Sequence, residues 1–330
     1  MDRAGELSEL MRPEPAGSMT AAREALGDDM QERLALIGQY LADLQQLEPI
    51  ERRAEEGFAE VADLPVWKPT EYEEVFLPGL RLAGIPDKSR VSLQSTADLH
   101  MHTEWSDGEP LDDVLECAVE ARLDVIAITD HDEIDGALEA RRRVHERRLR
   151  IAVVPGIEVS SRDGHIGGLF VTRKIPAGLS AEETVQRIHA AGGIAVAHHP
   201  FAPRMIERLL RVKLGCADLI TKLPFDAIEC TNAVPGHGTK YNLEAIEFLK
   251  KNHVRVAVTG SSDAHRAAFV GKGRTYFAGN YGVSSLRSGM ELGFTLGAEG
   301  YWSFREKIQY HVGLLRAIVR NLFGQRASIN

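Results

Sequence analysis

Six short apolar runs in this chain each contain or lead into a histidine or a carboxylate. They are ADLHMHTEWSDG (97–108), VIAITDHD (125–132), VVPGIEVS (153–160), GHIGGLF (164–170), GIAVAHHP (193–200) and VAVTGSSDAH (256–265). A polar or charged group buried without a partner is costly. So many imidazoles and carboxylates at strand-like ends therefore require a fold that makes them converge. Converging His, Asp and Glu side chains bind transition metals such as Zn²⁺, Mn²⁺ or Fe²⁺.

The spacing predicts strands at 97–102, 124–130, 151–159, 166–171, 194–198, 226–231 and 255–261. Helical patterns lie between them. One follows Glu109-Pro110 with Leu111, Val114, Leu115 and Ala118 on one face, one opens on the capping box Ser180–Glu183, and one covers 241–252. Strands alternating with helices predict a parallel sheet, open or closed. A closed α/β barrel explains more, because such barrels gather functional groups at the C-terminal ends of their strands.

The flanks read differently. Residues 1–18 are polar and expected to be loose, and 19–95 form a helical extension and connector. Met30, Leu34, Ile37, Leu41 and Leu44 make an apolar stripe there. That stripe serves either to pack on the main domain or to join copies into a homo-oligomer. The expected barrel spans 96–280. In 281–330 an apolar pattern over 302–323 predicts C-terminal helices, either closing the barrel or lying on a membrane surface.

Composition narrows the class. With 44% hydrophobic residues the chain can bury a large core. A net charge of −9 argues against an extended nucleic-acid footprint. Cys117, Cys216 and Cys230 have no paired spacing, which fits a reducing compartment. The N-terminus lacks the apolar core of a secretory signal, and no apolar run is long enough to span a membrane. The expected location is the cytoplasm.

Individual residues sharpen the metal reading. His100 and His102 are two apart on a strand and share a face, as do Asp263 and His265. Gly108 permits a tight turn after Asp107. Glu158 lies inside an apolar strand, where an unpaired carboxylate would be costly. Asp130 reads as a group that orients an imidazole. Of the adjacent His198 and His199, regular alternation lets only one reach a common cluster. Glu104 and Trp105 could shape the mouth or simply pack the loop. Arg141-Arg142-Arg143 reads as a solvated helix face, and G-K-G-R (271–274) lacks phosphate-loop spacing.

Together, the H-M-H-x-x-x-x-D-G, T-D-H-D, P-G-I-E-V, A-H-H-P and S-S-D-A-H runs, in this order, resemble the polymerase-and-histidinol-phosphatase (PHP) family of metal-dependent phosphoesterases, within the wider amidohydrolase-like group. The resemblance implies a distorted seven-stranded (β/α)7 TIM-like barrel. It also implies a cluster of two or three divalent transition metals (Mn, Zn or Fe). His100, His102, Glu158 and Asp263 would hold the first ion, Glu158, His165 and His199 the second, and Asp107, His131 and His265 the third. Since the family pattern is Ala-His-Pro, His199 matches as the ligand. His198 is then a substrate contact, an orienting group or a core histidine.

The implied reaction is hydrolysis of a phosphomonoester, a nucleotide or an oligonucleotide end by metal-activated hydroxide. Asp263, His265 and His198 are the candidates for handling protons, and Arg204, Arg266, Lys272 and Arg274 for contacting phosphate. Two other readings stay open: hydrolysis of carboxylic or carbamate esters, and a catalytically silent metal-binding module serving assembly.

Overall fold

The computed structural model describes residues 95–234, 238–254, 256–277 and 282–299, with single positions at 35 and 312. The chain divides into two units, Met1–Glu60 and Val61–Asn330, and the architecture below belongs to the second. The expected N-terminal helices, the connector up to 94 and the helical pattern over 302–323 lie outside the described residues, apart from those single positions.

Nine strands are described: β1 (Ser95–Asp98), β2 (Val125–Ile128), β3 (Ala152–Ser161), β4 (Gly164–Leu169), β5 (Ile194–Ala197), β6 (Ala227–Asn232), β7 (Ala257–Ser261), β8 (Gly273–Phe277) and β9 (Thr295–Glu299). The described helices are α1 (Leu111–Glu120), α2 (Asp135–Arg147), α3 (Ala181–Ala190), α4 (Arg204–Leu210), α5 (Gly238–Asn252) and α6 (Val283–Leu292). The sheet order is β7-β6-β5-β4-β3-β2-β1-β8-β9.

The pairing is mixed rather than parallel throughout. β1–β2, β2–β3, β5–β6 and β6–β7 are parallel, whereas β3–β4, β4–β5, β1–β8 and β8–β9 are antiparallel. The departure has a local cause. Only Arg162 and Asp163 separate β3 from β4, too few for a crossover helix, so the two strands form a hairpin. β4 therefore runs backwards, and its first residues lie at the same end as the last residues of its antiparallel neighbour β3.

β2 (VIAI) and β5 (IAVA) are buried on both faces, as continuous apolar runs in a helix-covered sheet should be. Ile126 and Ile128 pack toward the helices, and Val125 and Ala127 into the barrel interior. α1 contributes Leu111, Val114, Leu115 and Ala118 to the outer core, and α3 starts on the expected capping box.

The barrel closes in two ways. Beyond Asp98 the chain continues beside the segment after β7, where His102 N–H donates to Ala264 O (2.9 Å) and Asp263 N–H donates to His100 O (2.9 Å). Elsewhere the antiparallel β8–β9 pair lies against β7, and Thr275 Oγ1 accepts from Gly260 N–H (3.0 Å) and donates to Gly260 O (2.8 Å). Leu286 and Met290 of α6 join the interior cluster that contains Val125, Ala227 and Ala257, the first residues of their strands. Arg287 of α6 donates to Gly192 O just before β5. α6 thus closes the barrel end opposite the strand termini. No described helix is long and apolar enough to cross a membrane.

Candidate metal centre

The strand ends converge on one carboxylate. Glu158 of β3 is fully buried. Its Oε1 lies 3.3 Å from His100 Nε2, 3.3 Å from His165 Nδ1, 3.0 Å from His198 Nδ1 and 3.2 Å from His199 Nε2. Its Oε2 lies 3.1 Å from His131 Nδ1 and 3.5 Å from His102 Nε2. Asp263 Oδ1 sits 3.3 Å from Nε2 of both His100 and His102. Asp107 approaches His265 Nε2 (3.4 Å), His102 Nδ1 (3.8 Å) and His131 Nε2 (3.9 Å). All nine residues expected to bind metal thus lie in one cluster, at the strand termini.

Local structure explains the placement. His131 follows β2 and bridges in parallel to Glu158 of β3. His165 belongs to the reversed strand β4, which brings it to the ligand end from the opposite direction. Gly167 of the same strand leaves room for His198, because a Cβ there would lie 2.1 Å from the ring's Nε2. The Gly108 backbone sits against the His102 carbonyl, 2.3 Å from where a Cβ would stand, so a close approach rather than a special φ excludes a side chain there. His199 and Asp263 have φ of 23° and 52°, values that non-glycine residues seldom adopt and that concentrate at functional sites.

That irregular backbone overturns one expectation. His198 and His199 both reach Glu158 Oε1, at 3.0 and 3.2 Å. β5 ends at Ala197, so strand alternation no longer governs the two histidines. His198 is also stacked on His100, with ring centroids 3.8 Å apart. Asp130 differs from expectation too. It accepts from Thr103 N–H (2.6 Å), Thr103 Oγ1 (2.6 Å) and Ser106 Oγ (2.7 Å), so it fixes the loop carrying Asp107 rather than orienting an imidazole.

The phosphate candidates separate. The Arg274 guanidinium donates to the carbonyls of Gly271 (2.9 Å) and Ala121 (3.1 Å), where α1 ends, which occupies it structurally. Arg266 follows His265 and pairs with Glu109 at 3.2 Å. Arg204 is exposed at the start of α4, the segment after His199-Pro200. Lys272 is half-buried, with its backbone N–H bonded to Phe269 O.

Electrostatics suit metal ligation. Burial lowers the His102 pKa to about 3, reinforced by His265 and His131, so this ring is neutral. Burial works against the Glu158 charge, but His100, His165 and His131 hold its carboxyl well below the usual range. Burial likewise opposes a charged His100, yet Asp263, Glu158 and Glu229 raise its pKa well above that of a free imidazole. Among the described residues, the buried side-chain polar atoms without a hydrogen-bond partner are His102 Nδ1, His131 Nδ1, Glu158 Oε2, His165 Nδ1, His199 Nδ1 and Thr295 Oγ1. All but the last belong to the cluster, where metal ions would satisfy them. Donor atoms within 4.8 Å of one another occur in the sets His102-Asp107-His131-His265, His100-Glu158-His198, His100-His199-Asp263 and His131-Glu158-His165. This mixture of imidazole and carboxylate donors fits Zn²⁺, Mn²⁺ or Fe²⁺.

Sequence reading missed Glu229 and Asn232 at the end of β6. Glu229 Oε1 lies 3.1 Å from His100 Nδ1, and Asn232 Nδ2 donates to Asp263 Oδ2 at 3.2 Å. The available signal was a carboxylate inside the apolar run AIECTN, the same signal that picked out Glu158.

Comparison with known proteins agrees with this geometry. The PHP domain matches residues 98–253, and a PHP-associated region matches 239–286. An uncharacterized protein of Methanocaldococcus jannaschii is 33% identical over 167 residues, covering 47% of this chain and 92% of that protein. The 5'-3' exoribonuclease Rnm of Escherichia coli is 35% identical over 105 residues, covering 30% of this chain and 36% of the exoribonuclease. Among solved structures, a Bacteroides vulgatus two-domain protein described as containing a predicted PHP-like metal-dependent phosphoesterase superposes with a TM-score of 0.51 at 18% identity. That match covers 69% of this chain and 71% of the other, and it bears on the fold alone.

Proposed function

Because the chain belongs to the PHP family, we propose that it is a metal-dependent phosphoesterase acting on a phosphomonoester, a nucleotide or the end of an oligonucleotide. One observation carries this reading: the buried Glu158 carboxylate, ringed by six imidazoles at the ligand end of the barrel. Two or three divalent ions are assigned to His100, His102, Glu158 and Asp263, to Glu158, His165 and His199, and to Asp107, His131 and His265. When bound, such ions make water nucleophilic at neutral pH and neutralise charge on phosphoryl oxygens.

The chain's own groups do the rest. Asp263 is assigned to take the proton from the attacking water, since its Oδ1 faces the cluster while Asn232 holds its Oδ2. His265 is partly exposed, and with Nδ1–H donating to Asp263 O at 3.0 Å its Nε2 lone pair is left for the ion beside Asp107. His198 positions Glu158 through its Nδ1. Arg266, Arg204 and Lys272 supply positive charge for non-bridging phosphate oxygens.

The Escherichia coli relative supports the nucleotide or oligonucleotide branch over the stretch it shares. The net charge of −9 favours recognition of an end over an extended strand. The free cysteines Cys117, Cys216 and Cys230 fit a cytoplasmic setting.

The test is turnover by the Mn²⁺- or Zn²⁺-loaded protein of p-nitrophenyl phosphate, a phosphodiester, a 5'-phosphorylated oligonucleotide and an aryl ester. We expect hydrolysis of at least one phosphate ester, abolished by chelation and by Glu158→Ala. Aryl-ester turnover with no phosphate ester hydrolysed would overturn the reading in favour of a carboxylic ester hydrolase.

A further inference from the structure

β6 supplies none of the nine assigned ligands, yet its end touches three of them. Glu229 is 2% exposed. Its Oε1 lies 3.1 Å from His100 Nδ1, and its Oε2 accepts the His199 backbone N–H at 2.7 Å and the Asn232 side-chain amide at 3.1 Å. The same amide donates to Asp263 Oδ2 at 3.2 Å. Its orientation is fixed, because Asn232 Oδ1 accepts the Val234 N–H at 3.0 Å and leaves only the NH₂ to face the carboxylates. Asn242 clamps the Asn232 backbone from both sides, accepting its N–H and donating to its carbonyl.

Strand geometry shows how this was built. Residues three apart on a regular strand point to opposite faces. Here the register slips: Glu229 opposes Thr259, and Thr231 opposes Gly260. Cys230 is the extra residue of a bulge, which turns Glu229 and Asn232 toward the same side.

We propose that the Glu229–Asn232 pair is a positioning device for the metal centre: Glu229 holds His100 as the Nδ1–H tautomer and pins the His199 backbone, while Asn232 aims Asp263. The Nδ1–H···Glu229 contact leaves the Nε2 lone pair of His100 directed at Glu158 and Asp263, the side where an ion would sit. A histidine that donates its second ring nitrogen to a carboxylate is fixed in orientation and is a more basic ligand. The His199 N–H bond holds a residue whose φ of 23° needs outside support. Three of the assigned ligands thus depend on a strand that provides none.

This inference rests on the metal-centre reading, and its test separates the two. The metal-stripped full chain is titrated with Zn²⁺ against a chromophoric chelator, as wild type, Glu229→Gln and Asn232→Ala. The histidine ring nitrogens are followed by ¹⁵N NMR before metal is added, at an alkaline pH above the raised pKa of His100, where the ring is neutral and has a tautomer to read. Glutamine keeps the volume of Glu229 but offers one acceptor oxygen where three donors converge. We expect Glu229→Gln to weaken Zn²⁺ binding by roughly 10- to 100-fold and to move His100 away from the Nδ1–H tautomer, with the fold intact by circular dichroism. Asn232→Ala should weaken Zn²⁺ binding but leave the His100 tautomer in place, a split that a general loss of packing would not produce. A folded Glu229→Gln with wild-type affinity and an unchanged His100 tautomer overturns the proposal. If Glu229→Gln fails to fold, Asn232→Ala decides, and wild-type affinity there overturns it. A wild-type chain that binds no Zn²⁺ strikes the metal-centre reading, and the tautomer measurement on metal-free protein still decides this one.

Discussion

Glu158 shows how far a single residue can be read. A carboxylate inside P-G-I-E-V-S had to be neutralised by something, and six imidazoles now surround it. The adjacent histidines yield the first prediction. His199→Ala should lose one ion and lower turnover by more than about a hundredfold, as removing a ligand would. His198→Ala should keep its metal content and lose less, because His198 braces Glu158 and stacks on His100. Metal analysis and kinetics of both variants check this, and the opposite pattern would exchange the two roles. The thiols give a second prediction. Burial pushes Cys216 up to about 12 and Cys230 higher still, from an ordinary value near 9. A folded-state pKa raised in this way adds stability that is complete below about pH 9 and is lost as pH rises toward 12, by roughly 1.4 kcal/mol per pH unit for each thiol. Disulfide reagents at neutral pH should therefore modify at most Cys117 in the native chain. Prompt labelling of all three would contradict the described burial. The nine assigned ligands were legible because they fall in six short runs, each pairing an apolar stretch with a histidine or a carboxylate. Glu229 shared the buried-carboxylate signal of Glu158, but its run holds no histidine, and its role depends on a bulge and on partners 129 and 30 residues away.

Elements were legible wherever their signals were local. The capping box at Ser180 starts α3 as expected, and α1 buries the four residues its spacing selected. Strand direction was not legible. The reversal of β4 follows from a two-residue turn, and it is what delivers His165 to the site. β4 carries the third prediction. A methyl group at Gly167 would collide with the His198 ring, so Gly167→Ala should destabilise the fold by about 1–3 kcal/mol through overpacking. Its metal content should persist, because the displaced ring is not an assigned ligand. Denaturant unfolding with metal analysis measures both, and an unchanged midpoint would mean that His198 is not packed as described. β8 and β9 escaped sequence reading for a different reason. Their sequences, GRTYF and TLGAE, carry no ligand, and they wedge into the barrel by long-range pairing that no local pattern announces.

At the scale of the whole molecule, the described barrel is a scaffold whose two ends do different work. α6 and the interior apolar cluster close one end, while every assigned ligand stands at the other. The division follows from strand polarity: parallel strands present their C-termini together, and the reversed strand β4 brings its first residues to that same end. These termini are assigned to one multinuclear metal centre. Elemental analysis of the full chain, saturated with Mn²⁺ or Zn²⁺ and freed of excess ion, tests it most directly. We predict two or three ions per chain, falling in Glu158→Ala while the protein stays folded; fewer than one ion per wild-type chain at saturation would contradict the account.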